Sequence, residues 1–172
     1  MPANRYNKRK VVEPNLFEAA HSHLVPKHTK KYAIMHCDGA SSGNPGNSGI
    51  GVVIDLLDQD MQHGESRDIH TISEYIGIAT NNIAEYTAFI RGIEKAITLR
   101  VNSIKIFLDS ELLERQINGI YKVKNENLIP LWKRAMNLLK EFDEYRVVHV
   151  RRENNKEADL LATQAIKKRV RG

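Results

Sequence analysis

Four acidic residues of this 172-residue chain stand in local sequence patterns that control where a side chain points. They are Asp38, Glu85, Asp109 and Asp159. Carboxylates that come together from distant parts of a chain repel one another unless a cation lies between them. Ligand sets made of oxygen alone suit Mg²⁺ or Mn²⁺ better than Zn²⁺. The four patterns together therefore predict a divalent-metal site of the kind that nucleases use.

The residues around two of these acids predict their positions. Asp109 directly follows the apolar run Ile104–Leu108, so that it should stand at the end of a strand. Asp38 comes shortly before Gly43-Asn44-Pro45-Gly46, a tight loop that leaves backbone N–H groups exposed. The alternative for each acid taken singly is a solvated surface side chain, since most Asp and Glu residues are exposed.

The elements that position the acids follow from short apolar runs and from helical spacing. Strands are predicted at Lys31–Cys37, Gly49–Leu56, Ile69–Ile78, Ser103–Asp109 and Tyr145–Val150, with a turn at Asp58-Gln59-Asp60. Helices are predicted after Thr80-Asn81-Asn82, from Ser110 to Asn118, from Leu128 to Phe142 and from Lys156 to Lys168. The order βββαβαβα predicts an α/β fold with a mixed five-stranded sheet, a three-strand meander plus two parallel strands, flanked by helices.

This topology predicts that the acids converge. Asp38 should end the first strand and Asp109 the fourth, and these two strands should be parallel neighbours. Ligand sites of open α/β sheets lie beyond the carboxyl ends of the strands. Glu85 and Asp159 should lie near the starts of two helices, where the positive helix end favours a carboxylate.

The positive charge of the chain is concentrated at its N-terminus. Residues 1–31 hold seven Lys or Arg against two Glu, which gives +5, and the remaining residues hold 19 charges of each sign. We predict a basic, partly disordered extension over residues 1–30, a catalytic domain over 31–168 and a basic tail over 169–172. A mobile basic arm attracts polyanions by releasing their counterions; a solvated tail that only aids solubility is the alternative.

Cysteine content and hydropathy bear on the location of the protein. The single cysteine, Cys37, cannot form an intramolecular disulfide, and its apolar neighbours favour a small core residue over a nucleophile. No stretch approaches the ~20 apolar residues of a membrane span. We therefore expect a cytoplasmic protein without a membrane partner. Separately, we expect it to act as a monomer.

Four segments in register carry a resemblance to a known family. They are Asp38-Gly39-Ala40-Ser41 with Asn44-Pro45-Gly46 and Gly49-Ile50-Gly51; Thr80-Asn81-Asn82-Ile83-Ala84-Glu85; Asp109-Ser110 followed by Gln116; and Val150-Arg151-Arg152-Glu153-Asn154 running to Ala158-Asp159. In these segments, which span residues 32 to about 165, the chain resembles type I ribonuclease H, in the compact archaeal-type or bacterial form without the basic protrusion. The resemblance implies an endoribonuclease that hydrolyses RNA paired to DNA, with Asp38, Glu85, Asp109 and Asp159 as catalytic metal ligands.

The resemblance also implies a mechanism and a set of substrate contacts. Two Mg²⁺ ions, or Mn²⁺ as a substitute, activate a water and stabilise the departing 3′ oxygen, which leaves 5′-phosphate and 3′-hydroxyl ends. Residues expected to contact 2′-hydroxyls or phosphates are Gly43, Asn44, Gly46, Thr80, Asn81, Asn82 and Gln116. For Thr80 and the asparagines, turn residues and helix caps are the alternative interpretation, because these residue types favour caps.

The chain departs from the best-known bacterial members in two places. Their basic helix and loop are reduced here to a short segment in which Lys122 and Lys124 replace part of the basic surface. The loop histidine that many members carry before the last aspartate is missing, and Arg152 and Glu153 are the candidate substitutes. Compact archaeal-type members resemble the chain better, and some of these also cut RNA duplexes, which makes RNA duplexes a second candidate substrate.

Two rival functions remain open from the sequence. One is a nuclease or strand-transfer enzyme of the same fold that acts on DNA. The other is a catalytically silent nucleic-acid-binding module, which the loss of any one acid would favour. All four acids are present, and their sequence contexts favour the hybrid enzyme.

Overall fold

The computed structural model of the protein describes residues 30–58 and 68–170. Apart from Lys30, the predicted N-terminal extension lies outside these residues. The predicted turn after Asp58 and the last two residues of the predicted C-terminal tail lie outside them as well.

The described strands form one mixed five-stranded sheet. They are β1 (Lys31–Ser41), β2 (Gly46–Asp58), β3 (Asp68–Ala79), β4 (Ser103–Leu108) and β5 (Glu144–His149), in the order β3-β2-β1-β4-β5. The first three pair antiparallel, whereas β1 pairs parallel with β4 and β4 parallel with β5. The predicted fold class is confirmed, including the meander and the parallel pair that brings β1 beside β4.

Four α-helices accompany the sheet within residues 30–58 and 68–170. They are α1 (Asn81–Thr98), α2 (Glu111–Ile117), α3 (Ile129–Leu139) and α4 (Lys156–Val170). The third helix is shorter than predicted, because Glu141 and Phe142 donate to carbonyls three residues back rather than four. Phe142 is nevertheless buried, and because its apolar side chain fits the helical spacing, the predicted helix ended at Phe142 instead of Leu139. None of the described helices is long and apolar enough to cross a membrane.

Each face of the sheet packs against different helices. One face supplies the core side chains Met35, Val52 and Ile106 beneath α1, α2 and α3. On the other face α4 packs against β2 where that strand has glycines: a Cβ atom at Gly51 would lie 2.0 Å from the carbonyl oxygen of Ala158. The glycine therefore lets α4 approach the sheet, and this approach fixes the position of the start of α4.

The first strand does not end at Asp38 as predicted. Its pairing with β2 continues to Ser41, whereas its parallel pairing with β4 stops at His36 opposite Phe107. Asp38 thus lies inside β1 but beyond the last residue that pairs with β4. Asp38 still lies near Asp109, as expected. The reason is that β1 and β4 separate after His36 and Phe107, and not that β1 ends there.

Candidate active site

The four predicted acids line a single open cavity of about 300 Å³ where β1 and β4 diverge. Its lining consists of Asp38, Gly39, Ala40, Ser41, Asn81, Glu85, Asp109, Arg152 and Asp159. Asp109 immediately follows β4, and Asp159 lies in the first turn of α4, as predicted. Glu85 lies in the second turn of α1. The topology therefore gathers side chains that are as far as 121 positions apart in sequence.

Close contact between β1 and α1 brings the first two acids together. Asp38 is 9% exposed. A Cβ atom at the next residue, Gly39, would lie 2.1 Å from the backbone of Ala84 and 2.2 Å from that of Glu85. Any side chain at Gly39 would push α1 away from β1, so the glycine is required for Asp38 and Glu85 to line one cavity.

Two neighbours hold the Glu85 carboxylate in place. Asn81 Nδ2 donates to Oε1 at 2.9 Å, and Ser110 Oγ donates to Oε2 at 2.6 Å. Burial raises the pKa of Glu85, while the hydrogen bond from Ser110 acts in the opposite direction. The two donors thus favour the charged form of this carboxylate and offset part of the effect of burial on its pKa.

The other two acids also have protein donors. Asn155 Nδ2 donates to Asp109 Oδ1 at 3.1 Å. Arg152 Nη2 donates to Asp159 Oδ1 at 2.8 Å, and this hydrogen bond is the main reason that the pKa of Arg152 is raised. Arg152, one of the two candidate substitutes for the loop histidine, therefore lies in the cavity. The other candidate, Glu153, is exposed, with Arg151 at 3.9 Å.

Negative charge accumulates around Asp38. Burial, and then the charges of Asp109, Asp159 and Glu85, raise its pKa to about 8. Burial is also the main cause of the raised pKa of the neighbouring Cys37 thiol, with the Asp38 charge as the next cause. Cys37 is 2% exposed, which confirms it as a small core residue. Without a cation the site disfavours full ionisation of its own carboxylates.

The chemistry of the donors fits a hard divalent cation, since the cavity offers carboxylate oxygens and no sulfur or imidazole ligand in its lining. In the described part of the chain, however, no three acidic, histidine or cysteine side chains are arranged around a common point that would hold an ion. The carboxylate oxygens instead face Asn81, Ser110, Asn155 and Arg152. Ion binding would require at least some of these oxygens to turn into the cavity.

Six predicted substrate-contact residues include Asn81 of the cavity lining and its neighbours at the start of α1 and in the loop before β2, and we call them the rim: Gly43, Asn44, Gly46, Thr80, Asn81 and Asn82. The loop residues Gly43 and Asn44 are exposed, as is Asn82 on α1, whereas Gly46 begins β2 and is partly covered. Asn44 Oδ1 accepts a hydrogen bond from the backbone N–H of Asn81 at 3.2 Å, which ties the loop to the start of α1.

One residue of this rim has a structural role that the sequence left open. Thr80 Oγ1 accepts a hydrogen bond from the backbone N–H of Ile83 at 3.3 Å. The helix-cap interpretation of Thr80 is therefore confirmed, whereas its contact with a phosphate stays a prediction.

A second group of predicted contacts lies along a groove of about 360 Å³ beside α2. Gln116 lines this groove but is only 5% exposed, and its Oε1 accepts from the Tyr86 hydroxyl at 2.7 Å. Lys122 also lines the groove, and both it and Lys124 are exposed. The two lysines are free to meet a polyanion, whereas Gln116 already has a buried partner.

Two residues of the site were not assigned a role from the sequence. Ser110 caps α2 by accepting from Leu113 N at 3.3 Å and also donates to Glu85. Its position directly after Asp109, at the start of a predicted helix, is the signal that could have identified the cap. Asn155 is 1% exposed, and two consecutive asparagines before the last helix gave no indication of which one is buried.

Comparison with known proteins places this geometry in a family. The model of the reverse transcriptase-like family matches residues 36–165. The chain is 35% identical to a bifunctional protein of Mycobacterium tuberculosis over 133 residues, 77% of this chain and 35% of that protein. It is 36% identical to ribonuclease HI of Halobacterium salinarum over 129 residues, 75% of this chain and 61% of that protein. The chain thus spans about a third to three fifths of the length of these two relatives.

A solved structure has the same fold as this chain, and its sequence identity to the chain is similar to that of the two relatives. The structure of LC11-RNase H1 in complex with an RNA/DNA hybrid matches with a TM-score of 0.69 and 35% identity. The match covers 80% of this chain and 99% of that structure.

Proposed function

The chain belongs to the reverse transcriptase-like family of ribonuclease H-like domains, and we propose that it is an endoribonuclease that hydrolyses the RNA strand of RNA–DNA hybrids. The observation that carries the proposal is the single cavity lined by Asp38, Glu85, Asp109 and Asp159. Similarity to a ribonuclease H1 whose structure contains an RNA/DNA hybrid supports the choice of substrate. The proposed catalytic domain is residues 31–168.

The four acids are proposed to hold two Mg²⁺ ions, with Mn²⁺ as a substitute. When bound, such ions supply the Lewis acidity that activates a water and stabilises the departing 3′ oxygen of the RNA strand. Asp38 is proposed as the shared ligand, because it lies among the other three acids: burial, and then the charges of these acids, raise its pKa. Glu85 and Asp109 would complete one ligand set and Asp159 the other, and the products would carry 5′-phosphate and 3′-hydroxyl ends.

The rim and the groove are proposed to hold the duplex on either side of the acids. Gly43, Asn44, Gly46, Asn82 and Gln116 would meet 2′-hydroxyls, which distinguish RNA from DNA. Thr80 and Asn81 would hold a DNA phosphate. Lys122 and Lys124 would neutralise phosphates farther along the duplex, with further help from the basic N-terminal extension. We expect the enzyme to act as a monomer in the cytoplasm.

End-labelled RNA–DNA, RNA–RNA and DNA–DNA duplexes of one sequence, incubated with Mg²⁺ or Mn²⁺, test the proposal. We expect cleavage of the RNA strand of the hybrid, with RNA–RNA duplexes as the weaker second substrate. Asp109→Asn is the matched control for a contaminating nuclease. Cleavage of DNA alone would favour a DNA-directed nuclease, and tight hybrid binding without cleavage would favour a silent binding module.

A further inference from the structure

The buried side chain of Asn155 connects the elements that carry three of the four acids. It is 1% exposed. Its Nδ2 atom donates to the carbonyl oxygen of Cys37 at 3.0 Å and to Asp109 Oδ1 at 3.1 Å. Its Oδ1 atom lies 3.3 Å from His36 Nδ1. The amide thus contacts the two residues of β1 directly before Asp38, the His36 ring and the Cys37 carbonyl, and also donates to the carboxylate that follows β4.

The backbone of Asn155 reaches the fourth acid in sequence order. Its carbonyl oxygen accepts a hydrogen bond from the backbone N–H of Asp159 at 3.1 Å, which opens α4. Its own N–H donates to the carbonyl oxygen of Arg152 at 3.0 Å. One residue therefore fixes the side chain of Asp109 and the backbone of Asp159 relative to β1.

A primary amide fits this set of partners. The Cys37 carbonyl and the Asp109 carboxylate both accept, and the two N–H groups of one amide nitrogen supply both donors, while the amide oxygen faces the imidazole of His36. A serine hydroxyl could donate to only one of the two acceptors. An alanine would leave the buried Cys37 carbonyl and one oxygen of Asp109 without this donor.

We propose that Asn155 is a positioning residue, which sets the distance and orientation of Asp109 relative to Asp38 and Asp159 so that these carboxylates can share cations. The proposal rests on the proposed metal-dependent function. Partners that orient metal ligands typically contribute 10-fold to 100-fold to metal affinity or activity. The role of Asn155 is distinct from the ligand role of the acids, since its amide contacts a ligand and the strand but lines no part of the cavity.

The test compares Asn155→Ala with Asn102→Ala. Asn102 is the matched control, because its Oδ1 accepts from the backbone N–H of Lys31 at 3.0 Å and so ties β1 near the opposite end of the β1–β4 pair. Three quantities are measured for both variants and the parent: the Mn²⁺ dissociation constant by calorimetry, the unfolding midpoint without metal, and kcat and KM on a hybrid.

We expect both variants to lose stability, because each loses a hydrogen-bonding amide. Asn155→Ala alone should weaken Mn²⁺ binding, by about 10-fold to 100-fold, and lower kcat at saturating metal while KM for the hybrid changes less than about 2-fold. Should Asn155→Ala fail to fold, Asn155→Ser takes its place, and its single donor should give a smaller loss of the same kind.

Unchanged Mn²⁺ affinity in the Asn155 variant, or an equal loss in Asn102→Ala, would overturn the positioning role and leave a purely structural one. A parent protein that binds Mn²⁺ but cleaves no hybrid would contradict the proposed function and leave the positioning role open to test. The Mn²⁺ dissociation constants of the parent and of the two variants would still decide the role of Asn155.

Discussion

The charges at the amino ends of β1, β4 and β5 are mainly cationic, and their side chains are half-buried or exposed. Those where β1 and β4 diverge are mainly anionic, and apart from Arg152 their side chains are buried or half-buried. Lys30, Lys31, Lys105 and Arg146 line the cavity at the amino ends, together with Glu144. Arg146 pairs with Glu144 at 3.2 Å, and Lys30 pairs with Asp143 at 3.6 Å. The four side chains of these two ion pairs are each more than half exposed. Exposed pairs of this kind contribute little to stability.

The acidic end differs because burial and like charge act together there. The pKa of Asp38 rises to about 8, and the pKa of Glu85 rises as well. A strongly perturbed carboxylate in an open cavity is typical of a functional site rather than of a stabilising one. The acidic end is therefore maintained at a cost in stability, and this cost is expected wherever a site must bind cations.

The largest effect should come from removing one acid. Asp109→Asn replaces a charged ligand by a neutral amide and should leave the fold intact. It should lower hydrolysis of a hybrid by on the order of 10³-fold or more, since even the partners of a metal ligand contribute 10-fold to 100-fold. Lys105→Gln at the amino end is the control and should keep activity within about 2-fold. Equal turnover of Asp109→Asn and the parent would remove Asp109 from the site.

The pH dependence of stability should differ between the two ends. Asp38 has a pKa of about 8 in the folded protein and 3.8 as its ordinary value. Between these values the folded state binds more protons than the unfolded state, so that the free energy of unfolding should fall as pH rises from about 4 to 8 and level off above. Asp38→Asn should remove this contribution and stabilise the metal-free protein at pH 8 by about 1–2 kcal/mol.

Urea unfolding with a chelator across this pH range measures the difference. Asp143→Asn at the amino end is the control, and its exposed pair with Lys30 should be worth less than about 1 kcal/mol. A parent whose stability rises steadily from pH 4 to 8, or an Asp38→Asn variant with the same profile as the parent, would contradict this explanation of the acidic end.

Removal of residues 1–30 should have a smaller effect, on binding rather than chemistry. The deletion removes six Lys or Arg and two Glu. Hybrid affinity should fall, and the dependence of its logarithm on the logarithm of salt concentration should become less steep by roughly 0.9 for each phosphate that the protein no longer neutralises. Fluorescence anisotropy at several salt concentrations measures the slope. An unchanged slope would leave the segment without a binding role.

The smallest effect should come from replacing Arg152, the basic residue that lines the acidic cavity. Arg152→Gln frees the Asp159 carboxylate from an exposed partner, and Mn²⁺ should then bind about 2-fold to 5-fold more tightly, as expected for an exposed ion pair worth up to ~1 kcal/mol. Arg151→Gln is the control, because Arg151 faces Glu153 at 3.9 Å instead of an acid of the site. Weaker Mn²⁺ binding in Arg152→Gln would mean that Arg152 supports the metal site instead of competing for it.

The sequence predicted the sheet and the convergence of the acids because both depend on local patterns. Short apolar runs located the five strands of the described sheet. The meander followed by a helical connection from β3 to β4 indicated that β1 and β4 are parallel. The predicted end of β1 at Asp38 was wrong because β1 continues to pair with β2 as far as Ser41. The residues of a strand do not show how far a neighbouring strand pairs with it.

Side-chain partners could not be predicted in the same way. The sequence left open whether Thr80 caps a helix or contacts a phosphate, since one residue type serves both roles. The burial of Gln116 against Tyr86 and of Asn155 against Cys37 depends on hydrogen bonds between residues 30 and 118 positions apart. Such partners are set by how the helices pack on the sheet, which no local pattern records.

Anomalous diffraction from crystals of the protein grown with Mn²⁺ would show directly whether the four acids hold cations. We expect Mn²⁺ peaks within about 2.5 Å of carboxylate oxygens of Asp38 and its three acidic neighbours, reached by small rotations of these side chains. The same crystals of Asp38→Asn should lack at least one peak. A parent crystal with Mn²⁺ bound elsewhere, and none between these carboxylates, would contradict the proposed site.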